Sequence, residues 1–304
     1  MSSFRLGTHP CSRWPALCLC ALWWTLLAAG CGAQRTGEDD DDNDDSAAGN
    51  DDTAGDDDSA DDDDLGDDDT FGDDDDSTAD DPWLATASMY AHTADDLYSV
   101  DDAPPYGVHL ISTFYRLDGE SPPNITDLGV SLDGQMYGVS THAVWHIAPA
   151  TGAMESLLQA EDEFFVAMTF LADGSLLVGG DRNLYLINLG TGEYSLQSTF
   201  ADWNWDGDMV GLPDGYLYCI MRRDGDSNSS LVVYDAVFEN VLSEADTGVG
   251  SMFGVAYGAG SLFGFTDGGT IVTIDAATGG ATQVAEPGLA FWGAATNPVL
   301  WSRN

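Results

Sequence analysis

The sequence has very little positive charge. It contains 53 acidic residues against eight basic ones, the eight are all arginine, and there is no lysine. The formal net charge of −45 argues against a nucleic-acid-binding function, because affinity for phosphate backbones comes from clustered Lys and Arg that release counterions. Docking on anionic lipid through a basic patch is disfavoured for the same reason.

Cysteine is also scarce where it could stabilise a fold. Of five cysteines, three lie in the first 30 residues, and Cys31 lies at an expected processing site. Only Cys219 would remain in the folded part, which therefore has no intramolecular disulfide and must be stabilised by burial. Its neighbours Tyr218 and Ile220 predict that Cys219 is itself a buried strand residue.

The apolar segment near the N-terminus, residues 14–30, is short for a membrane span. Arg5 and Arg13 precede the uncharged residues 14–30, and the run ends in Ala-Ala-Gly before Cys31, an arrangement typical of a secretory signal peptide. The end of this run resembles the lipobox of bacterial lipoproteins, with Ala28 where Leu is commonest. The resemblance implies that Cys31 is lipidated and that, with Gly32 next, the protein goes to the outer membrane or cell surface. An ordinary cleavage near Ala29 and an uncleaved anchor remain alternatives.

Residues 31–81 are expected to form a lipidated Cys and a disordered tether. Residues 38–81 contain 25 Asp or Glu and no Arg, with little apolar material to bury. Such a segment cannot repay its ordering entropy, and its self-repulsion extends it. Weak calcium association with the Asp blocks is the alternative role.

Residues 82–304 contain a repeat. Short apolar strands start at residues 97, 144, 184, 231 and 271, so their spacings are 47, 40, 47 and 40 residues. Upstream of four of them lies a hairpin, three with Asp-Gly at the turn (residues 133–134, 173–174 and 214–215) and one with Ala-Gly (259–260). This period, without helical periodicity, predicts an all-β fold, a five-bladed β-propeller. A β-sandwich supplies similar strands but not this period.

The ends of the repeat region predict how the propeller closes. Residues 291–295 look like an innermost strand without its blade, and residues 89–114 look like outer strands without an inner one. Pairing the two ends would complete the fifth blade and remove open sheet edges. Ala-Thr-Gly after Ile274-Asp275 and in related turns resembles the repeats of quinoprotein-type and YVTN-type bacterial propellers, a resemblance that implies fold and not chemistry.

Several polar residues are predicted to lie on one face of the propeller, in loops that commonly bind ligands. They are His92, His142, Arg182, Arg222 and Arg223. The arginines could form a local site for an anionic group, because guanidinium offers a bidentate fork. The alternative is that each is a solvated residue paired with an acidic neighbour such as Asp181 or Asp224.

The segment from Asp202 to Asp208 begins like a calcium-binding loop. Asp202, Asn204, Asp206 and Asp208 alternate as oxygen donors, and Gly207 stands at the turn. Pro213 occupies the position where such a loop places its bidentate Glu. Calcium is therefore a possible cofactor, and a plain interblade loop is the competing interpretation.

Catalysis would need carboxylates that meet in the central channel. Asp127, Glu163 and Asp208 lie near the starts of three successive inner strands, so they are the trio to test for glycan cleavage. A shift of one residue in strand register would turn any of them to the other sheet face. Aromatic residues gather at the same strand starts and are predicted to serve mostly in packing, with the remainder available to stack on sugar rings or peptide: Phe164, Phe165, Trp203, Trp205, Phe253, Phe291 and Trp292.

These observations favour a binding module over an enzyme. The sequence predicts a monomeric bacterial cell-envelope lipoprotein whose propeller binds a protein, a glycan or a small anion, with the membrane contacted through the lipid. A glycan-cleaving enzyme is the alternative function, and a scaffold protein is a third. Neither the ligand nor the leaflet follows from the sequence.

Overall fold

A computed structural model describes residues 81–303, which form an all-β fold. The predicted signal peptide (1–30), Cys31 and almost the whole acidic tether lie outside the described residues. A short 3-10 helix, Pro298–Arg303, follows the last strand. Among residues 81–303 no helix is long and apolar enough to cross a membrane.

The strands form five sheets arranged as the blades of a propeller. Blade 1 contains β1 (Met89–His92), β2 (Asp96–Val100), β3 (Val108–Thr113) and the last strand, β21 (Gly293–Thr296). Blade 2 contains β4 (Tyr115–Arg116), β5 (Ile125–Val130), β6 (Met136–Ser140), β7 (Ala143–Ile147) and β8 (Ala153–Gln159). Blade 3 contains β9 (Ala167–Phe170), β10 (Leu176–Gly180), β11 (Asn183–Asn188) and β12 (Glu193–Thr199). Blade 4 contains β13 (Asn204–Gly211), β14 (Tyr216–Arg222), β15 (Ser230–Asp235) and β16 (Asn240–Asp246), and blade 5 contains β17 (Met252–Gly258), β18 (Ser261–Thr266), β19 (Ile271–Ile274) and β20 (Ala281–Ala285).

The inner strands β21, β5, β9, β13 and β17 contact one another in sequence and close a ring around a central channel. We call the face where these strands begin the upper face and the face where they end the lower face. The five-bladed architecture predicted from the repeat is confirmed. One feature the repeat did not predict is β4, which pairs in parallel with β8 and gives blade 2 a fifth strand.

The ends of the chain close the ring as expected. Antiparallel pairing joins β1 to β21, from Met89 opposite Thr296 to His92 opposite Gly293. Beyond β21, the Asn297 amide donates hydrogen bonds to the carbonyls of Ala85 and Ala87 at 2.9 and 3.0 Å. The two ends of the described chain therefore hold blade 1 together, and no inner-strand edge is left open.

The recurring turn after the third strand of a blade has a local cause. In blade 5 the Asp275 carboxylate accepts hydrogen bonds from the backbone N–H groups of Ala277 and Thr278, both at 2.9 Å. Asn188 does the same in blade 3. Gly279 then takes a φ of 74°, a left-handed conformation that glycine adopts without steric cost.

The core lies between blades. Five clusters of buried side chains each join the facing sheets of two neighbouring blades. Cys219 is fully buried on β14 in one of them, as predicted, and burial raises the pKa of its thiol. The inner strands are thus fixed by packing on both sides, which makes the channel a rigid site.

Candidate functional site: the upper half of the central channel

Two buried aspartates meet in the channel. Asp127, on β5, and Asp208, on β13, are both fully buried, and their carboxyl groups lie within hydrogen-bonding reach of each other. Of the three carboxylates predicted for catalysis, these two come together. Glu163 does not join them, because its carboxylate accepts a hydrogen bond from the Tyr185 hydroxyl in the packing between blades.

The aspartates accept hydrogen bonds from all five inner strands. Asp127 takes the N–H of Leu128 at 2.8 Å and that of Met168 at 2.6 Å. Asp208 takes the N–H of Met209 at 2.5 Å, that of Val255 at 2.9 Å and that of Ala294 at 3.3 Å. Buried amides need acceptors, so the pair ties the ring of inner strands together at one level of the channel.

Burial raises the pKa of both carboxyl groups. Burial, followed by the neighbouring charge of Asp208, raises the pKa of Asp127 well above its usual value. Burial likewise raises the pKa of Asp208 to about 7. Two carboxyl groups this close cannot both ionise easily, so their titrations are coupled.

His92 lies beside this pair. It ends β1, is fully buried, and its Nδ1 is 2.8 Å from the carbonyl oxygen of Thr93. Its Nε2 has no hydrogen-bond partner within the described part of the chain. A Cβ on Gly293 would lie 2.5 Å from both His92 Nε2 and Asp127 Oδ1, so these two atoms face the same small space. Burial lowers the pKa of His92 to about 4, and the imidazole is neutral.

A cup opens above the aspartates, one residue earlier along the inner strands. It has a volume of about 240 Å³ and a mainly apolar wall. We call it the aromatic cup, and its wall consists of Thr126, Val166, Trp205, Asp206, Gly207, Phe253 and Trp292. Because every blade contributes to the wall, the cup lies on the propeller axis. This is the usual place for a ligand in a concave, preformed site.

The predicted aromatic residues divide between the cup and the core. Phe165 and Phe291 are fully buried in packing, whereas the rings of Phe253 and Trp292 are half-buried in the cup wall. Trp205 lies in the wall with its indole N–H donating to the carbonyl of Asn183 at 2.8 Å. Trp203 is buried outside the cup, and Phe164 is exposed near His142.

The predicted arginines lie on the upper face, but each is engaged by an acidic partner. Arg182 contacts Asp224 at 2.8 Å and also donates to Asn204 at 2.9 Å. Arg222 contacts Asp206 at 2.9 Å. Arg223 contacts Glu244 at 2.5 Å and stacks over the ring of Trp203 at 4.3 Å.

The two histidines expected beside these arginines lie elsewhere. His142 is exposed, with its Nδ1 2.5 Å from the carbonyl oxygen of Glu163, and His92 is buried in the channel. The five residues therefore share a face without forming one anion site.

The proposed calcium donors also point apart. Asn204, Asp206 and Asp208 belong to β13, not to a wrapping loop. Asn204 is bonded to Arg182 and Asp224, Asp206 to Arg222 and Ser229, and Asp208 to three backbone amides. Within residues 81–303 no group of three or more His, Cys, Asp or Glu is placed to hold a metal ion. The extended strand explains the outcome, since donors two residues apart on β13 are separated by about 6.6 Å along the chain and do not wrap around one ion.

Sequence comparison finds no known family and no curated protein that matches the chain. Similar solved structures include a chain of a nidogen/laminin complex, which is 10% identical with a TM-score of 0.48 over 68% of this chain and 96% of that one. Another is the Pan2 WD40 domain of Neurospora crassa, 12% identical with a TM-score of 0.42 over 67% of each chain. Hydrazine synthase of Kuenenia stuttgartiensis is 14% identical, with a TM-score of 0.41 over 67% of this chain and 66% of that one. The strand pairing itself defines the class of this protein as a five-bladed β-propeller.

Proposed function

We propose that this protein is a lipid-anchored module of the bacterial cell envelope that binds its ligand in the aromatic cup. The cup carries the proposal. It is a preformed cavity of about 240 Å³ on the propeller axis, and three of its wall residues are Trp205, Phe253 and Trp292. Large aromatic surfaces that remain accessible inside a rigid cavity are typical of a recognition site.

The path of the chain supports presentation of the cup away from an anchor. The first described residues run along the lower face, where Ala85 N–H donates to the carbonyl of Gly134 at 2.8 Å and Leu84 bridges Gln135. Gly134 and Gln135 form the turn after the inner strand β5. The described chain therefore begins on the face opposite the cup. The lipobox-like end at Cys31 and the quinoprotein-like repeat fit the same proposal from the sequence side.

A glycan-cleaving enzyme is the second candidate function. The observation in its favour is the proximity of Asp127 and Asp208, whose raised pKa values resemble those of an acid–base pair. Against it, these carboxylates accept five backbone hydrogen bonds, and Glu163 lies elsewhere. The carboxylate in the cup wall, Asp206, is ion-paired with Arg222. A hydrolase needs carboxylates free to approach substrate, so this arrangement supports binding.

Binding can be tested by tryptophan fluorescence and thermal shift on the full chain, with a screen of glycans, organic cations and small anions. A ligand of the cup should lose its effect when Trp292 is replaced in Trp292→Leu. The matched control is Trp83→Leu, which removes an indole stacked on His146 outside the cup. A ligand that responds equally to both variants, or release of reducing sugar from an offered glycan, would contradict the binding proposal.

The anchor has its own test. Cys31→Ser should move the protein from the detergent phase to the aqueous phase on extraction from cells, because the acylated sulfur is lost. Cys219→Ser is the matched control, since it alters a thiol buried in the folded domain. Unchanged partitioning of the Cys31 variant would refute the lipoprotein proposal and leave the cup untouched.

A further inference from the structure

The polar groups of the aromatic cup are already used by the protein. The Thr126 hydroxyl lies 3.1 Å from the carbonyl oxygens of Val139 and Phe165. Asp206 is held by Arg222 on one oxygen and by the Ser229 hydroxyl, at 2.5 Å, on the other. With the Trp205 indole N–H donated to a carbonyl as well, little hydrogen-bonding capacity is left for a sugar, which needs several partners.

What the cup does offer is aromatic surface. Phe253 belongs to β17 and Trp292 directly precedes β21, so their half-buried rings come from neighbouring positions around the inner ring, whereas Trp205 on β13 lies in the wall but is largely buried in the core between blades 3 and 4. The face of an aromatic ring carries partial negative charge and attracts cations, Trp most strongly. Several such rings around one cavity favour a cation that gives up its water readily, which an alkylated ammonium does.

The net charge of the domain also favours a cationic ligand. Residues 82–304 contain five arginines against 28 acidic residues, a formal charge of −23. Arg182, Arg222 and Arg223 are all ion-paired, so among the described residues 81–303 the upper face has no free guanidinium to attract an anion. The buried carboxyl pair lies one residue beneath the cup wall. The field around the cup therefore favours a positive ligand and repels a negative one.

We infer that the aromatic cup recognises a weakly hydrated organic cation, such as the trimethylammonium group of a larger ligand. This inference rests on the proposed binding function and narrows it to one ligand class. Cation–π attraction to the rings of Phe253 and Trp292 supplies affinity, and the acidic domain supplies selection against anions.

The probe pair is choline and its neutral isostere 3,3-dimethyl-1-butanol, titrated into the full chain by calorimetry at 0.15 M salt. The two have the same shape, so the comparison isolates the charge. Choline should bind about tenfold more tightly, which corresponds to ~1.4 kcal/mol of cation–π and electrostatic preference. Replacement of the rings in the double variant Phe253→Leu and Trp292→Leu keeps the cup apolar and should abolish that preference.

A charge change in the wall sharpens the test. Arg222→Gln releases the Asp206 carboxylate toward the cup and should tighten choline binding several-fold without affecting the neutral isostere. Arg223→Gln is the matched control, because it removes the same charge from the pair with Glu244 beside Trp203.

The outcomes separate this inference from the proposed function. Equal affinity for choline and its isostere, with both lost in Trp292→Leu, would contradict the preference for a cation. The cup would still be the binding site. A methyl glycoside that binds in the cup when choline does not would have the same meaning. Choline binding that survives the double ring replacement would show that choline binds outside the cup, which would contradict the cup as the binding site.

Discussion

The two halves of the central channel differ in how much space the inner strands leave between them. Above the level of Asp127 and Asp208 the channel widens into a cup of about 240 Å³, and below it the remaining space is about 10 Å³, about the minimum for a single water molecule. The lower half is lined by aliphatic side chains and backbone and is closed by Pro298 and Trp301. One ring of strands thus builds a site at one end and a core at the other.

Glycines allow the inner strands to approach closely in both halves, since a Cβ on Gly207 in the cup wall would lie 2.4 Å from the carbonyl oxygen of Met252, so the residues at the strand starts distinguish the two. In the lower half, a Cβ on Gly211 would lie 2.6 Å from the carbonyl oxygen of Phe170, so glycine allows β13 and β9 to approach closely. In the upper half, the bulky rings of Phe253 and Trp292 stand at the strand starts and hold the cup open. The carboxyl pair divides the halves. Substitutions on either side of the pair test that division.

Removal of residues 289–304 should abolish the folded propeller. The truncation deletes β21, frees the edges of β1 and of its neighbours in the ring, and takes away both the Ala294 amide and the Trp301 closure. We expect the truncated protein to aggregate or to show no cooperative thermal unfolding, because open inner-strand edges pair with other molecules.

The control for the truncation is to add the deleted segment back as a separate peptide. A synthetic peptide of residues 289–304, added during refolding, should restore a cooperative melt if pairing with β1 is what was lost. A truncated chain that stays monomeric and melts like the full chain would show that ring closure contributes little.

Asp208→Ala should be the most damaging single substitution in the channel. It leaves the buried N–H groups of Met209, Val255 and Ala294 without their acceptor, at about 1–2 kcal/mol each. Denaturant unfolding should therefore show a loss of roughly 3–6 kcal/mol with little change in m. Asp226→Ala is the matched control, since Asp226 is exposed and its carboxylate makes no hydrogen bond. Similar stability of the two variants would mean that the pair does not hold the ring.

The His92 imidazole should make the domain less stable in acid. Burial lowers its pKa from 6.5 to about 4, so below pH 6.5 the unfolded chain binds a proton that the folded protein refuses. Its contribution is complete above pH 6.5 and is lost as pH falls through 4. The loss is about 3 kcal/mol at pH 4.

His92→Gln should remove this part of the pH dependence, as measured by unfolding between pH 7 and pH 4, while His142→Gln, an exposed control, should leave the profile unchanged. The raised pKa values of Asp127 and Asp208 act in the opposite sense, because their stabilisation is greatest below pH 4 and is lost as pH rises through about 7. The His92→Gln variant removes the contribution of His92 alone, so it can be measured separately from that of the two aspartates. A His92→Gln profile that matches the unsubstituted protein would place His92 in a solvated site.

The sequence period predicted the fold because each blade repeats the same pattern of strands and turns. The strand starts, the Asp-Gly hairpins and the unpaired ends at residues 89–114 and 291–295 specify five blades and their closure. They do so without any knowledge of which side chain faces which. Local turn chemistry, such as Asp275 before Gly279, is readable from sequence for the same reason.

The site was only partly predictable because it depends on long-range neighbours. Asp127 and Asp208 were singled out, but their five amide partners come from all the inner strands, and Glu163 turned to Tyr185. His92 carried no signal of burial, since Gly293 is its neighbour only after ring closure. The adjacent aromatics Phe291 and Trp292, just before β21, go to the core and to the cup wall respectively, which composition cannot distinguish.

The smallest expected effect is the opening of the lower half. Trp301 contacts Tyr257 edge to face at 6.3 Å and closes the channel while remaining partly exposed, so Trp301→Ala should cost about 1–3 kcal/mol, less than removal of a fully buried Trp. Val299→Ala, on the same helix, is the control for loss of apolar surface alone. If the carboxyl pair divides the channel, the melting temperature should fall while choline affinity in the cup stays the same. A weakened cup in Trp301→Ala would instead show that the two halves are coupled through the inner strands, and that Asp127 and Asp208 transmit strain between them.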